Sequence, residues 1–176
     1  MQNSSQTHKG DAFSKLLSSL VAITTILGIP AGLYGYFSSQ HASRVSRTFD
    51  FYKDFRGDPG KDFKFLVAGW NARAEEEKSL AQKGDEAGVK SLVSSLLTNN
   101  QTQTAVTELV LFFDEVYSCV DNSLCDRNTA VALFQSPASQ FFSMYGSYFQ
   151  DVRETNPTYA IGVMKLRNLT KCWSLF

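Results

Sequence analysis

The apolar positions of the chain are concentrated first in one uncharged run near the N-terminus, from Leu16 to Phe37. As a helix this run is roughly 33 Å long, enough to cross a hydrocarbon core of about 30 Å. It is longer than the apolar region of a signal peptide, and a buried helix of a soluble protein rarely stays uncharged for so long. We therefore predict a transmembrane helix over 15–39, after a short polar tail over 1–14. A cleaved signal peptide and a buried core helix are the alternatives.

The predicted membrane helix contains residues that weaken helices in water, namely Pro30 and the glycines Gly28, Gly32 and Gly35. Both residue types are commoner in membrane helices than in soluble ones. Gly28 and Gly32 also have the spacing of small residues that lets two helices approach closely. The three glycines are therefore predicted to form a helix–helix contact in the membrane. The alternative is chance, because small residues are frequent in any membrane span.

Beyond this run, apolar residues recur at helical spacing to the end of the chain. They predict that the membrane helix continues as a stalk over 40–56, which the "GDPG" at 57–60 then ends. The remainder, 61–176, is predicted to be a helical bundle domain. Periodicity and start signals divide it into helices over 61–78, 89–97 and 105–120, a short helix after Asp126, one from Ser136-Pro137 and one after Asn156-Pro157.

No segment alternates apolar and polar residues over the length of a strand. The predicted fold class is therefore all-α. One N-terminal transmembrane helix continues into a stalk and is followed by a cytoplasmic, antiparallel bundle of about five to six helices.

The charges orient the predicted span. The chain has 17 basic and 17 acidic residues, so no basic excess indicates nucleic-acid binding. Two lysines precede the span and four basic residues follow it, which favours an N-terminus outside and a bundle in the cytoplasm: Lys9, Lys15, Arg44, Arg47, Lys53 and Arg56. An odd, sparse set of three cysteines also indicates a reducing compartment. We expect the inner (cytoplasmic) membrane, with a single pass.

Little in the sequence indicates catalysis. The two histidines, His8 and His41, both flank the predicted span, so the bundle has no imidazole for a nucleophilic pair or a metal site. Cys119 and Cys125 are interpreted as buried or turn cysteines rather than as a metal or redox pair. The carboxylates Asp114 and Glu115 could do acid–base chemistry if one were buried, but a structural role is favoured. We predict no catalytic residue, no cofactor and no metal ligand.

Five aromatic residues crowd one predicted helix between Phe141 and Phe149. Most of them are expected in the core, because an aromatic stripe at helical spacing is normally buried. The stripe covers more than one face, however, so Phe142 and Tyr148 are predicted to contribute to a partner surface.

The layout resembles a known family. One N-terminal span is followed by "RVSRTFDFYKDF" (44–55) and later by "ELVLFFDEVYSCVDNSLCDRNTAVALFQSPASQFFSMYGSYFQDVRE" (108–154). These segments are similar to a broad family of small bacterial, single-span, membrane-anchored helical proteins of unknown function. The resemblance implies the same fold and membrane placement, and it implies no activity and no catalytic residue.

The function expected from these features is that of a non-enzymatic, membrane-anchored interaction module. It would contact the lipid bilayer, and it would bind itself or another membrane protein, as a homo-oligomer or as an accessory subunit of a larger complex. A membrane-tethered sensor of a small molecule is the alternative, and a metal-dependent enzyme using Asp114 or Glu115 is a further one.

Overall fold

A computed structural model describes the backbone of residues 8–170 and the side chains of residues 32–170. Within these residues the chain forms seven α-helices and no strand, which confirms the predicted all-α bundle. The helices are α1 (His8–Phe55), α2 (Asp58–Asn71), α3 (Ala74–Gln82), α4 (Glu86–Leu97), α5 (Asn100–Asp121), α6 (Arg127–Thr155) and α7 (Ile161–Arg167).

The chain divides between Ser43 and Arg44 into two units. In the part of the chain that the structure describes, no helix combines the length and the apolar character needed to span a membrane. The structure therefore does not show the membrane helix predicted over 15–39. Residues 15–31 of that prediction, Gly28 among them, lie outside the residues whose side chains are described.

The second unit has its core around α5, which contacts α2, α4, α6 and α7. The apolar face predicted for this helix is confirmed, since Leu109, Phe113 and Val116 are fully buried. Opposite them, α6 contributes Phe134, Phe141 and Phe149, which are also fully buried. Through Phe112, ring centroids 5.2–5.9 Å apart join these aromatics into one continuous cluster, in the range that favours edge contacts and offset stacking.

The C-terminal part of α1 belongs to this core. Phe51 contacts Phe112 edge-on and Phe55 packs against it at a tilt, with ring centroids 6.2 and 5.4 Å apart. Thr48 is fully buried, and its hydroxyl donates to the Arg44 carbonyl at 2.8 Å. The same hydroxyl accepts from the backbone N–H of Asp126 at 2.9 Å, so the start of α6 is tied to α1. Much of the predicted stalk is thus part of the bundle.

Several predicted helix boundaries are wrong. One error is a missed turn, and two are early helix starts that side-chain caps explain. The helix predicted over 61–78 is two helices, α2 and α3, because the chain turns at Ala72 and Arg73. The loop predicted before α4 is short, since the Asp85 side chain accepts from Gly88 N at 2.8 Å and starts the helix early. Asn99 likewise accepts from Gln101 N at 2.8 Å and starts α5.

One long helix, α6, replaces the two that were predicted around Ser136-Pro137. Asp126 caps its start as expected, accepting from Thr129 N at 2.7 Å. Pro137 lies inside the helix, although proline has no N–H to donate to the preceding turn. Phe134, Ala138 and Phe141 on either side of it are all fully buried, so tertiary packing keeps the segment helical despite the lost hydrogen bond.

The last helix, α7, is held by contacts from other helices. The Asp114 carboxylate of α5 accepts from the backbone N–H of Gly162 at 2.5 Å. At the other end, the Gln135 side chain donates to the Leu169 and Arg167 carbonyls at 2.9 and 3.2 Å. Because Asn156-Pro157 was predicted to start this helix, its observed start at Ile161 is a correction.

Candidate functional sites

The first predicted site is the glycine face of α1. Gly32 and Gly35 each have open space where a side chain would begin, with nothing within 4 Å of an added Cβ. Neighbouring apolar side chains in this unit are also uncovered. Leu33, Tyr34, Tyr36 and Phe37 are between 51% and 78% exposed. Among the described residues, no internal contact accounts for the glycines or for the exposed aromatic side chains.

The predicted partner surface on α6 is largely covered. Phe142 is half-buried, and the Arg167 guanidinium lies 3.9 Å from the centre of its ring, a cation–π contact. Tyr148 is also half-buried and packs against Phe149 and Tyr159, with ring centroids 6.1 Å apart in both pairs. These two side chains present only part of their surface to solvent, and their role in binding a partner stays a prediction.

The predicted carboxylates separate in the structure. Glu115 is exposed, whereas Asp114 is half-buried between α5 and α7. Burial raises the pKa of Asp114, while the hydrogen bond from Gly162 N works in the opposite direction. Since the carboxylate accepts a backbone N–H of α7, it has a structural contact that accounts for its position.

The two cysteines that were interpreted as buried or turn cysteines are joined. Cys119, at the end of α5, forms a disulfide with Cys125 in the turn before α6, and their Cα atoms are 5.2 Å apart. The turn reverses the chain within six residues, which brings the Cβ atoms together. Both cysteines are buried, as predicted, but the bond between them was not anticipated; Cys172 lies outside the described residues.

A basic cavity was not anticipated. It lies beside α7, has a volume of about 650 Å³, and is lined by three basic side chains, Arg127, Arg153 and Lys165. Ile161, Met164 and Leu169 form its apolar wall. Two of the basic residues come from opposite ends of α6 and the third from α7. No local sequence pattern could have grouped them, because only the packing of α7 on α6 brings them to one cavity.

The described residues contain no group of three or more histidine, cysteine, aspartate or glutamate side chains arranged to hold a metal ion.

Comparison of the chain with protein-family models, with curated proteins and with solved structures finds no match in any of the three. The resemblance to small membrane-anchored helical proteins therefore rests on the sequence pattern alone.

Proposed function

We propose that this chain is a non-enzymatic interaction module, a helical bundle anchored in a membrane by the N-terminal part of α1. It acts by protein–protein contact, as a homo-oligomer or as an accessory subunit of a larger membrane complex. The observation that carries the proposal is the set of exposed apolar side chains on α1, at Leu33, Tyr34, Tyr36 and Phe37.

At about 100° per residue these four side chains cover an arc of about 160°, and Gly32 and Gly35 lie on the other side, so no polar side chain interrupts the helix over 32–37. A helix that is apolar on all sides needs an apolar surrounding, either a protein core or lipid. The uncharged run that begins at Leu16 leads directly into them. Tyrosine is enriched where a membrane helix meets the headgroups, so Tyr34 and Tyr36 fit the boundary of the proposed span over 15–39.

The glycines support contact with a second helix. Gly32 and Gly35 have open space beside their Cα atoms, so a partner backbone could approach there without hindrance. By contrast, an added Cβ on Gly60 or Gly162 would collide with the backbone of the same chain. Gly32 and Gly35 thus lack the close internal contact that accounts for Gly60 and Gly162, which is expected if their partner is another membrane helix.

On which side of the membrane the bundle lies is a separate proposal, and two observations point in opposite directions. The basic residues after the span favour the cytoplasm, but they exceed those before it by a small margin. The Cys119–Cys125 disulfide is typical of an oxidising compartment. We give the disulfide more weight, because a covalent pair needs an oxidant whereas a small charge bias is often overridden. The bundle is accordingly proposed to lie on the oxidising side.

The anchor and the contact are tested together in native membranes. We expect the protein to stay with the membranes in alkaline carbonate and, after mild detergent extraction, to have the mass of an oligomer or a complex. Gly28→Leu with Gly32→Leu should reduce that mass, whereas Gly69→Leu, at an exposed glycine of α2 with equal open space, should not. Release by carbonate, or a lone monomer unaffected by the paired change, would overturn the proposal.

The side of the membrane is tested with an impermeant maleimide on intact cells. Ser79→Cys places a thiol at an exposed position of α3, in a Cys172→Ser background that leaves no other unpaired cysteine. We expect labelling without permeabilisation. Labelling only after permeabilisation would place the bundle in the cytoplasm, as the charges alone predicted.

A further inference from the structure

The cavity beside α7 has an excess of positive charge that the rest of the chain does not share. Arg127, Arg153 and Lys165 line it, and no aspartate or glutamate does. The whole chain has equal numbers of basic and acidic residues, so this concentration is local. Positive charges that line one cavity raise the local concentration of anions.

The three basic side chains also differ from other basic residues of the bundle. Lys53, Lys61 and Lys90 each have a carboxylate within 2.8 Å. None of the three cavity residues forms an ion pair with any residue in the part of the chain that the structure describes. Asp121 and Asp126 lie near Arg127 in an adjoining pocket, so the uncompensated positive charge of the cavity is that of Arg153 and Lys165.

Internal contacts hold the arginines in place. Arg127 donates from Nε to the Thr170 carbonyl at 3.2 Å, which orients its guanidinium. The Arg153 guanidinium lies against the Met164 sulfur. Guanidinium groups that are oriented in advance bind phosphate or carboxylate oxygens through two parallel hydrogen bonds at a lower entropic cost.

The apolar wall limits the class of ligand. Ile161, Met164 and Leu169 line the cavity, and their side chains offer no hydrogen bond to a bare inorganic ion. A volume of about 650 Å³ also exceeds what such an ion needs and lies within the range of small-molecule sites. A ligand that matches both parts of the lining has an anionic group and an apolar body.

We propose that this cavity binds a small organic anion, with its phosphate or carboxylate group held by Arg153 and Lys165 and its apolar part against Ile161 and Met164. Arg127, roughly 39 Å from Arg153 along α6, adds positive charge at the other end of the cavity. The site is independent of the membrane anchor and of the α1 contact. Occupied, it would make the bundle a binding module for an anionic metabolite or for the headgroup of an anionic lipid.

Titration calorimetry of the full chain in a non-ionic detergent tests the site with hexyl phosphate as the probe. We expect saturable binding that weakens as salt increases, because the contacts are ionic. Arg153→Gln and Lys165→Gln should each weaken binding about tenfold or more. Lys64→Gln, at an exposed lysine of α2 outside the cavity, is the matched control and should leave the affinity unchanged. Unfolding in urea should confirm that all variants are folded.

Three outcomes would overturn the proposal: no saturable binding at millimolar hexyl phosphate, equal binding by hexyltrimethylammonium, or equal affinity in all variants. Two further probes identify the source of the anionic group. Tighter binding of dihexanoyl phosphatidate would support a lipid headgroup, and weaker binding would support a soluble metabolite. Binding of inorganic phosphate as tight as that of hexyl phosphate would refute the role of the apolar wall.

Discussion

Most aromatic side chains have opposite surroundings in the described parts of the two units of the chain. Tyr34 and Phe37 of the first unit are 78% and 64% exposed, whereas Phe113 and Phe141 of the second are fully buried. The residue types are alike, so the difference lies in the surface available to cover them. The bundle supplies that surface from its own helices. The described part of the first unit does not, which is why an external apolar surrounding is proposed for it.

The largest effect that tests this comparison comes from two leucines on one helix. Leu109 of α5 is fully buried and Leu111 is 53% exposed. We expect Leu109→Ala to lower the free energy of unfolding by about 2–5 kcal/mol, because it leaves a cavity in the core. Leu111→Ala should change it by less than about 0.5 kcal/mol. Urea unfolding followed by circular dichroism measures both, and equal losses would contradict the assigned core.

The glycines provide a second test. A Cβ at Gly162 would collide with the backbone of Phe113 and Asp114, whereas one at Gly32 would meet open space. Gly162→Ala should therefore destabilise the bundle by about 1–3 kcal/mol, as overpacking does. Gly32→Ala should leave unfolding of the bundle unchanged in the same urea titration. A stable Gly162→Ala variant would show that α7 does not dock as described.

Reduction of the disulfide tests a constraint that only the bundle has. The Cys119–Cys125 bond closes a short loop. Its loss should lower the free energy of unfolding by roughly 2 kcal/mol, mainly because the unfolded chain gains conformational entropy. Urea titrations with and without dithiothreitol measure this difference. A Cys119→Ser, Cys125→Ser variant should match the reduced protein and show no response to the reductant. If the wild-type protein did not respond either, the two cysteines would not be paired.

The smallest effect is a pH dependence at Asp114. Burial raises the pKa of this carboxyl, so the folded state binds its proton more tightly than the unfolded chain. Stability should therefore fall as pH rises from about 4, the ordinary value for aspartate, through the raised pKa. Asp114→Asn should remove this decline, and Glu115→Gln at the exposed neighbour should keep it. Urea midpoints between about pH 3.5 and 6 measure the slope, and an opposite slope in the wild type would refute it.

Periodicity predicted the helices of the bundle better than their ends. The face of α5 that includes Leu109 and Phe113 could be predicted because a long amphipathic helix repeats its apolar positions many times. Leu111, two positions after Leu109, points about 200° away from it and is exposed. The boundary between α2 and α3 and the continuity of α6 through Pro137 depend on tertiary packing, which outweighs local propensity.

The disulfide and the basic cavity were missed for different reasons. Cys119 and Cys125 are close in sequence and lie on either side of a helix end. These positions could have indicated a bond if a reducing compartment had not been inferred from the cysteine count. Arg127, Arg153 and Lys165 are far apart in sequence and carry no shared motif. Such a cavity becomes visible only when the packing of α7 is known.

The docking of α7 also has a consequence for local opening of the fold. Seven residues are too few for a stable helix in water, so α7 depends on its contacts with Asp114 and Gln135. Its amide hydrogens should exchange with solvent whenever α7 undocks, even while α5 and α6 stay closed. The exchange rate at Gly162 therefore reports how often the wall of the basic cavity opens.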